Sequence, residues 1–191
     1  NRQSLRVVDT LERRYPEYPG LNLTYEVREG IIKHETSVPI LDSEHFPAGE
    51  KPTLEASLVD LADAIAYNSH DVDDGLSSGL LDWSELEEVP LWRMIRGKAD
   101  HVYPGLDRKL RRHLMVRLLV DYQVTDLIGQ TMKNIGAGKI KTLDDVRAAE
   151  NKLVSFSGPV QSELGLLKNH LTEKMYRHPK IMANARQAEA I

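Results

Sequence analysis

Apolar residues recur along most of the chain at the three- and four-residue spacing of a helix, not at the two-residue alternation of a strand. Leu5, Val8 and Leu11 keep that spacing until Tyr15-Pro16-Glu17-Tyr18-Pro19-Gly20 interrupts it. A second short helix is predicted around Thr24 to Lys33, with Val27, Ile31 and Ile32 inward. Pro39, Pro47, Gly49 and Pro52 mark Glu35 to Pro52 as a long loop, a length that often carries function. Thr53 can cap the next helix, where Leu54, Leu58, Leu61 and Ile65 form an apolar stripe; Gly75 and Gly79 are expected to loosen or end it. Ser84 offers a fresh N-cap, and Pro90 can start a turn over Leu91 to Ile95.

The longest pattern runs from Leu106 to Ile135. Leu110, Leu114, Leu118, Val124, Leu127, Ile128 and Met132 are predicted inward, and Gly136-Ala137-Gly138 closes the helix. Thr142 and Asp145 have the spacing of a capping box, with Asp in place of Glu, opening a helix to about Leu153. Gly158-Pro159 begins another that contains Leu164, Leu167 and Leu171. Pro179 then punctuates the chain before a final segment to Ile191. The predicted fold is all-α, a single helical region over 1–191.

Composition narrows the chemistry more than the fold. The 191 residues include no cysteine, so disulfides, thiolate metal sites and cysteine nucleophiles are excluded, and any metal must rest on His, Asp or Glu. No apolar run approaches the roughly 20 residues that cross a bilayer, and no leader is visible, so a soluble cytoplasmic protein with no membrane partner is expected. The chain opens without Met at Asn1-Arg2-Gln3-Ser4, already on helical spacing, which predicts that it belongs to something longer. The net charge of −4 hides an asymmetry: Thr53 to Trp92 holds ten acids and no Lys or Arg, whereas Arg93 to Arg117 holds eight bases against Asp100 and Asp107. No uniform basic face for duplex nucleic acid results. Carboxylates for a cation followed by bases for a polyphosphate would use such a division, and so would two solvated helix faces that neutralise one another.

Within the acidic segment, Asp63, Tyr67 and Asp71 are spaced by four. On a helix successive members are rotated by only about 40°, so the three share one face and can meet one ligand. A carboxylate for a metal, a phenol beside phosphate or sugar, and a carboxylate accepting from hydroxyls are sensible uses of these types. Acids every four residues also decorate exposed helices. Ala62, Ala64 and Ala66 around them favour close approach by something over a solvated charged face.

The stretch Leu61-Ala62-Asp63-Ala64-Ile65-Ala66-Tyr67-Asn68-Ser69-His70-Asp71-Val72-Asp73-Asp74-Gly75 resembles the last metal-site motif of the dGTPase-like deoxynucleoside triphosphate triphosphohydrolases of the HD superfamily. Leu21 to Val27 with Glu29-Gly30-Ile31, Glu88-Val89-Pro90-Leu91, and Tyr176-Arg177-His178-Pro179 resemble the same family in the same order. The resemblance implies an HD-domain-like helical bundle, with 1–135 part of the catalytic core and 136–191 a C-terminal extension of a larger all-helical enzyme. It implies hydrolysis of a dNTP to deoxynucleoside and inorganic triphosphate, aided by a divalent ion such as Mg or Mn. Asp63 would be the final metal ligand, Tyr67 would pack on sugar and phosphates, and Asp71 would accept from the 3'-hydroxyl. Arg117, matched through Arg111-Arg112-His113-Leu114-Met115-Val116-Arg117, would bind the triphosphate. A homo-oligomer and a regulatory nucleotide or single-stranded DNA are further implied partners.

The chain departs from the family pattern in one respect: the first metal-binding His and the paired His-Asp have no counterpart after Asn1. His70-Asp71 is such a pair in letters only, because adjacent helical residues point about 100° apart. On these grounds the fragment is expected to bind metal poorly and to be inactive by itself. His34 and His45 flank or sit in the long loop near where a site would lie, whereas His101, His113 and His170 read as ordinary helix or loop residues. Arg177 and His178 can position a helix end or face a neighbouring subunit, and Trp83 and Trp92 read as core or interface anchors. Two rival functions stay open: another HD-type nucleotide phosphohydrolase, and a non-catalytic helical interaction or regulatory module.

Overall fold

A computed structural model describes residues 2–34, 46, 47 and 49–183; His45, most of the long loop and the segment 184–191 lie outside them. As the apolar spacing predicts, every element among the described residues is helical. They are α1 (Arg2–Arg6) running into a π-helical turn (Val7–Leu11), α2 (Tyr25–Lys33), α3 (Leu54–Ser78), α4 (Trp83–Leu86) and α5 (Pro90–Val102). α6 (Arg108–Gly138), α7 (Leu143–Ala148) and α8 (Gly158–Leu171) follow, with a second π-helical turn over Thr172–Tyr176. No helix among the described residues is long and apolar enough to cross a membrane. The chain divides into two compact units, one of residues 1–63 and 131–155, the other of 64–130 and 156–191.

In the first unit α1 packs on α2, and the Arg28 guanidinium grips both oxygens of Asp9 at 2.8 Å. The chain turns back at Gly20, whose φ of +64° and whose place against the backbone of Asp9 leave no room for a side chain: a Cβ would fall 2.3 Å from the Val8 carbonyl oxygen. α2 buries only part of the face its apolar residues predict. Ile32 is inside as expected, but Val27 is 49% exposed and Ile31 half-buried, and the charged Glu29 and Lys33 are inside instead.

The buried charges are tolerated because each is paired. Lys33 Nζ donates to Glu29 Oε1 at 2.6 Å and to the Glu50 carbonyl at 2.9 Å, and Arg147 from α7 reaches Glu29 Oε2 at 3.3 Å and the Glu50 carboxylate. α7 itself begins with the predicted capping box. The backbone N–H groups of Lys141 and Thr142 donate to Asp145 and hold its carboxyl below the usual range. The helix stops at Ala148, short of the expected Leu153.

The second unit buries Val72, Leu76, Trp92, Ile95, Met115, Leu119, Leu127, Leu164, Leu167 and Leu171, with α5 packed on α8. α6 corrects the sequence reading most. Its buried residues are Met115, Leu119, Gln123 and Leu127, a four-residue row that the polar Gln123 hides from any apolar count. Gln123 Nε2 donates to Ser69 Oγ at 3.1 Å and to the Leu119 carbonyl at 3.0 Å, so the amide is buried with its donors used. Leu114 and Leu118 are half-buried, while Leu110, Val124, Ile128 and Met132 face out. The helix ends at Gly138, within the Gly136-Ala137-Gly138 stretch expected to close it.

Two helix ends differ from expectation as well. Gly75 does not loosen α3; it lies inside it where the chain folds back, and a Cβ there would fall 2.4 Å from Leu81 Cδ1. The helix ends before Gly79, which takes φ +72°. Asp82, not Ser84, caps α4: its carboxylate accepts from the Ser84 backbone N–H at 2.7 Å and from the Ser84 hydroxyl, which together hold its pKa low. Pro90 starts a helix of three turns, not one.

On α8, His170 is half-buried and its Nε2 has no hydrogen-bond partner among the described residues. Burial lowers its pKa from the usual value, Glu85 pulling the other way and Lys174 adding to the depression. The unfolded chain therefore binds the proton more readily, and stability contributed by neutral His170 is lost as pH falls through about 6.5. Urea midpoints at about pH 7.5 and pH 5.5 should separate less in His170→Gln than in the wild type; equal separation would remove this histidine from the pH response.

Candidate functional site

α3 supplies three of the residues singled out from sequence. Thr53 opens it, Oγ1 accepting from the Ala56 N–H at 3.2 Å, and the helix is unbroken through Asp63, Tyr67 and Asp71. Asp63 belongs to the first unit and is exposed. One turn earlier on the same helix Asp60 pairs with His34 Nδ1 from the end of α2, so this histidine meets a carboxylate of the acidic segment.

Among the described residues no three His, Asp or Glu side chains gather in a way that holds a metal ion. The exposed carboxylate of Asp63 is a suitable hard oxygen donor, but one donor only.

Tyr67 and Asp71 lie in the second unit, where the structure brings a partner to both. The Tyr176 hydroxyl donates to Asp71 Oδ2, and the Tyr176 ring lies 6.4 Å from the Tyr67 ring at an interplanar angle of 57°. Tyr67 stays 59% exposed and Asp71 half-buried, so a phenol face and a carboxylate remain open to a ligand. Burial first, and the Asp71 carboxylate second, push the Tyr176 phenol well above its ordinary range, so it is a donor at any working pH. Tyr176 carried no assigned role in the sequence. Its only signal was the Tyr-Arg-His-Pro string at a helix end.

Arg117 is exposed on α6 and takes no part in the Tyr67, Asp71 and Tyr176 contacts. Other bases of the same segment are spent on the acidic one: Arg96 meets Glu87 at 2.8 Å and Arg112 meets Asp73 at 2.8 Å, while Arg111 reaches Asp100 at 3.3 Å. Arg108 sits over the Trp83 ring, 5.6 Å from its centroid. Arg96 and Arg112 are thus neutralised by carboxylates of the acidic segment. Trp92 is a core residue, 5.9 Å from the half-buried Trp83 ring, as expected of anchors.

No family model matches the chain. Individual relatives do: it is 44% identical over 183 residues to a deoxyguanosinetriphosphate triphosphohydrolase-like protein of Geobacter sulfurreducens, covering 95% of this chain and 48% of that one. A protein of the same description from Ralstonia pickettii is 43% identical over the whole chain and 50% of its own length, and one from Caulobacter vibrioides is 38% identical over the whole chain and 52% of its length. The chain spans about half the length of the curated relatives it matches. With alignments at 38–44% identity that span nearly the whole chain, the chain belongs to the family of dGTPase-like triphosphohydrolase proteins.

Proposed function

We propose that the full-length protein hydrolyses a deoxynucleoside triphosphate to the deoxynucleoside and inorganic triphosphate. The observation that carries the reading is the open Tyr67 ring beside the half-buried Asp71 carboxylate, on the helix that also presents Asp63, in a chain whose relatives are named deoxyguanosinetriphosphate triphosphohydrolase-like. Tyr67 offers a flat apolar face to a deoxyribose, and Asp71 accepts from its 3'-hydroxyl. Arg117 neutralises charge on the triphosphate. A divalent cation, when bound, would polarise the α-phosphate and lower the pKa of a water. Asp63 would hold it through one carboxylate oxygen, and of the ligands implied by the resemblance this chain has a match for Asp63 alone. Water forms a new bond to the α-phosphorus, the bond to the 5'-oxygen breaks, and that oxygen leaves with a proton as the nucleoside hydroxyl. No phosphate-to-phosphate bond is broken, so the polyphosphate departs intact.

That feature makes the product diagnostic. The full-length protein, incubated with each dNTP in turn and Mg or Mn, is expected to release inorganic triphosphate and nucleoside in equal amounts, read by phosphorus NMR. Release of orthophosphate or pyrophosphate, or equal cleavage of ribonucleotides, would favour a different nucleotide phosphohydrolase. No hydrolysis at all would favour a non-catalytic helical module.

A further inference from the structure

We propose that Tyr176, which joins α3 from the far end of the chain, is a positioning residue that orients Asp71 and Tyr67 toward the sugar of the nucleotide. The inference rests on the triphosphohydrolase reading and assigns a residue that reading leaves out.

An Asp carboxylate that must accept from one sugar hydroxyl has two oxygens and a freely turning side chain. A donor locked on one oxygen orients the other. Tyr176 is such a donor: its hydroxyl takes Asp71 Oδ2, which leaves Oδ1 to face a ligand. The same ring stands behind Tyr67 in a tilted aromatic contact, so a single side chain supports both neighbours. Its own place is anchored in the core through its neighbours. Leu171 and Met175, one turn apart, are both buried, and the turn they anchor is closed by the Arg177 N–H on the Thr172 carbonyl at 3.1 Å. This five-residue closure is wider than an α-turn and shifts the register of everything after it, so Tyr176 arrives at Asp71 by a local departure from α-helical geometry. Wide turns of this kind are common at functional sites.

If Tyr176 merely docked α8, its hydroxyl would matter to stability and not to substrate choice. The full-length protein with Tyr176→Phe keeps the ring and loses the donor, so it separates these roles. KM for the preferred dNTP is expected to rise by about tenfold with kcat within about twofold, as for lost binding made equally in the ground and transition states. The preference for that dNTP over its 2',3'-dideoxy analogue should shrink by a similar factor, and the thermal midpoint should shift by only a few degrees. Adding Tyr176→Phe to Asp71→Asn should cost little more than Asp71→Asn alone, because the two act as one unit. An active wild type whose Tyr176→Phe variant keeps the same KM and the same dideoxy discrimination would overturn the inference and leave the triphosphohydrolase reading standing. So would a loss of kcat and thermal stability with discrimination intact, since that is the mark of a docking contact. Absence of triphosphate release from the wild type would overturn both.

Discussion

Asp63→Ala in the full-length protein is expected to lower triphosphate release by at least about a thousandfold while leaving the unfolding midpoint within about a degree or two of the wild type. The two halves of that expectation come from different facts. Asp63 is exposed on α3, so its truncation removes no packing, and surface changes of this kind stay within roughly half a kcal/mol. A carboxylate that holds a catalytic cation, by contrast, loses both a ligand and the charge that keeps the ion in place, and the barrier then rises by several kcal/mol. Phosphorus NMR reads the product and calorimetry with Mn reads the binding. Wild-type turnover in Asp63→Ala would remove the residue from the reaction. A large drop in stability alongside lost turnover would mean that the carboxylate was structural.

Glu29→Leu should have the opposite signature, a stability loss of about 3–5 kcal/mol in the unit containing α2. The Glu29 and Lys33 side chains are fully buried, and Arg147 also addresses Glu29. Removing the carboxylate leaves the Lys33 ammonium inside the protein with, among the described residues, the Glu50 carbonyl as its hydrogen-bond partner, and the cost is that of an uncompensated buried charge, not of one contact. Replacing both partners, Glu29→Met with Lys33→Met, should recover a substantial part of the loss, because Arg147 keeps Glu50 and no lone charge remains. Urea unfolding followed by circular dichroism compares the three proteins. A double variant as unstable as Glu29→Leu would show that the fourfold charge cluster, not the pairing of these two groups, is what the unit depends on.

The helical class, the helix that carries Asp63, Tyr67 and Asp71, and the capping box at Thr142 were all legible in the sequence, because each depends on residues within a turn or two of one another. Apolar spacing, a hydroxyl or carboxylate at a helix start, and four-residue repeats act through local backbone geometry, and local geometry is written in consecutive letters. What the sequence could not reveal is which face of a helix is inside when the inside is polar. Glu29, Lys33 and Gln123 are buried where partners distant in the chain meet them, Arg147 and Glu50 for the first two and Ser69 for the amide donor of the third, and a pattern count has no access to those partners. Gly75 reads as a helix breaker until the return of Leu81 shows that the missing side chain makes room. The same limit governs the site. The spacing of α3 set out Tyr67 and Asp71, but only the tertiary fold decided that Tyr176, more than a hundred residues later, would bring its hydroxyl to one and its ring to the other, since that meeting depends on how a widened turn at the end of α8 is anchored in the core.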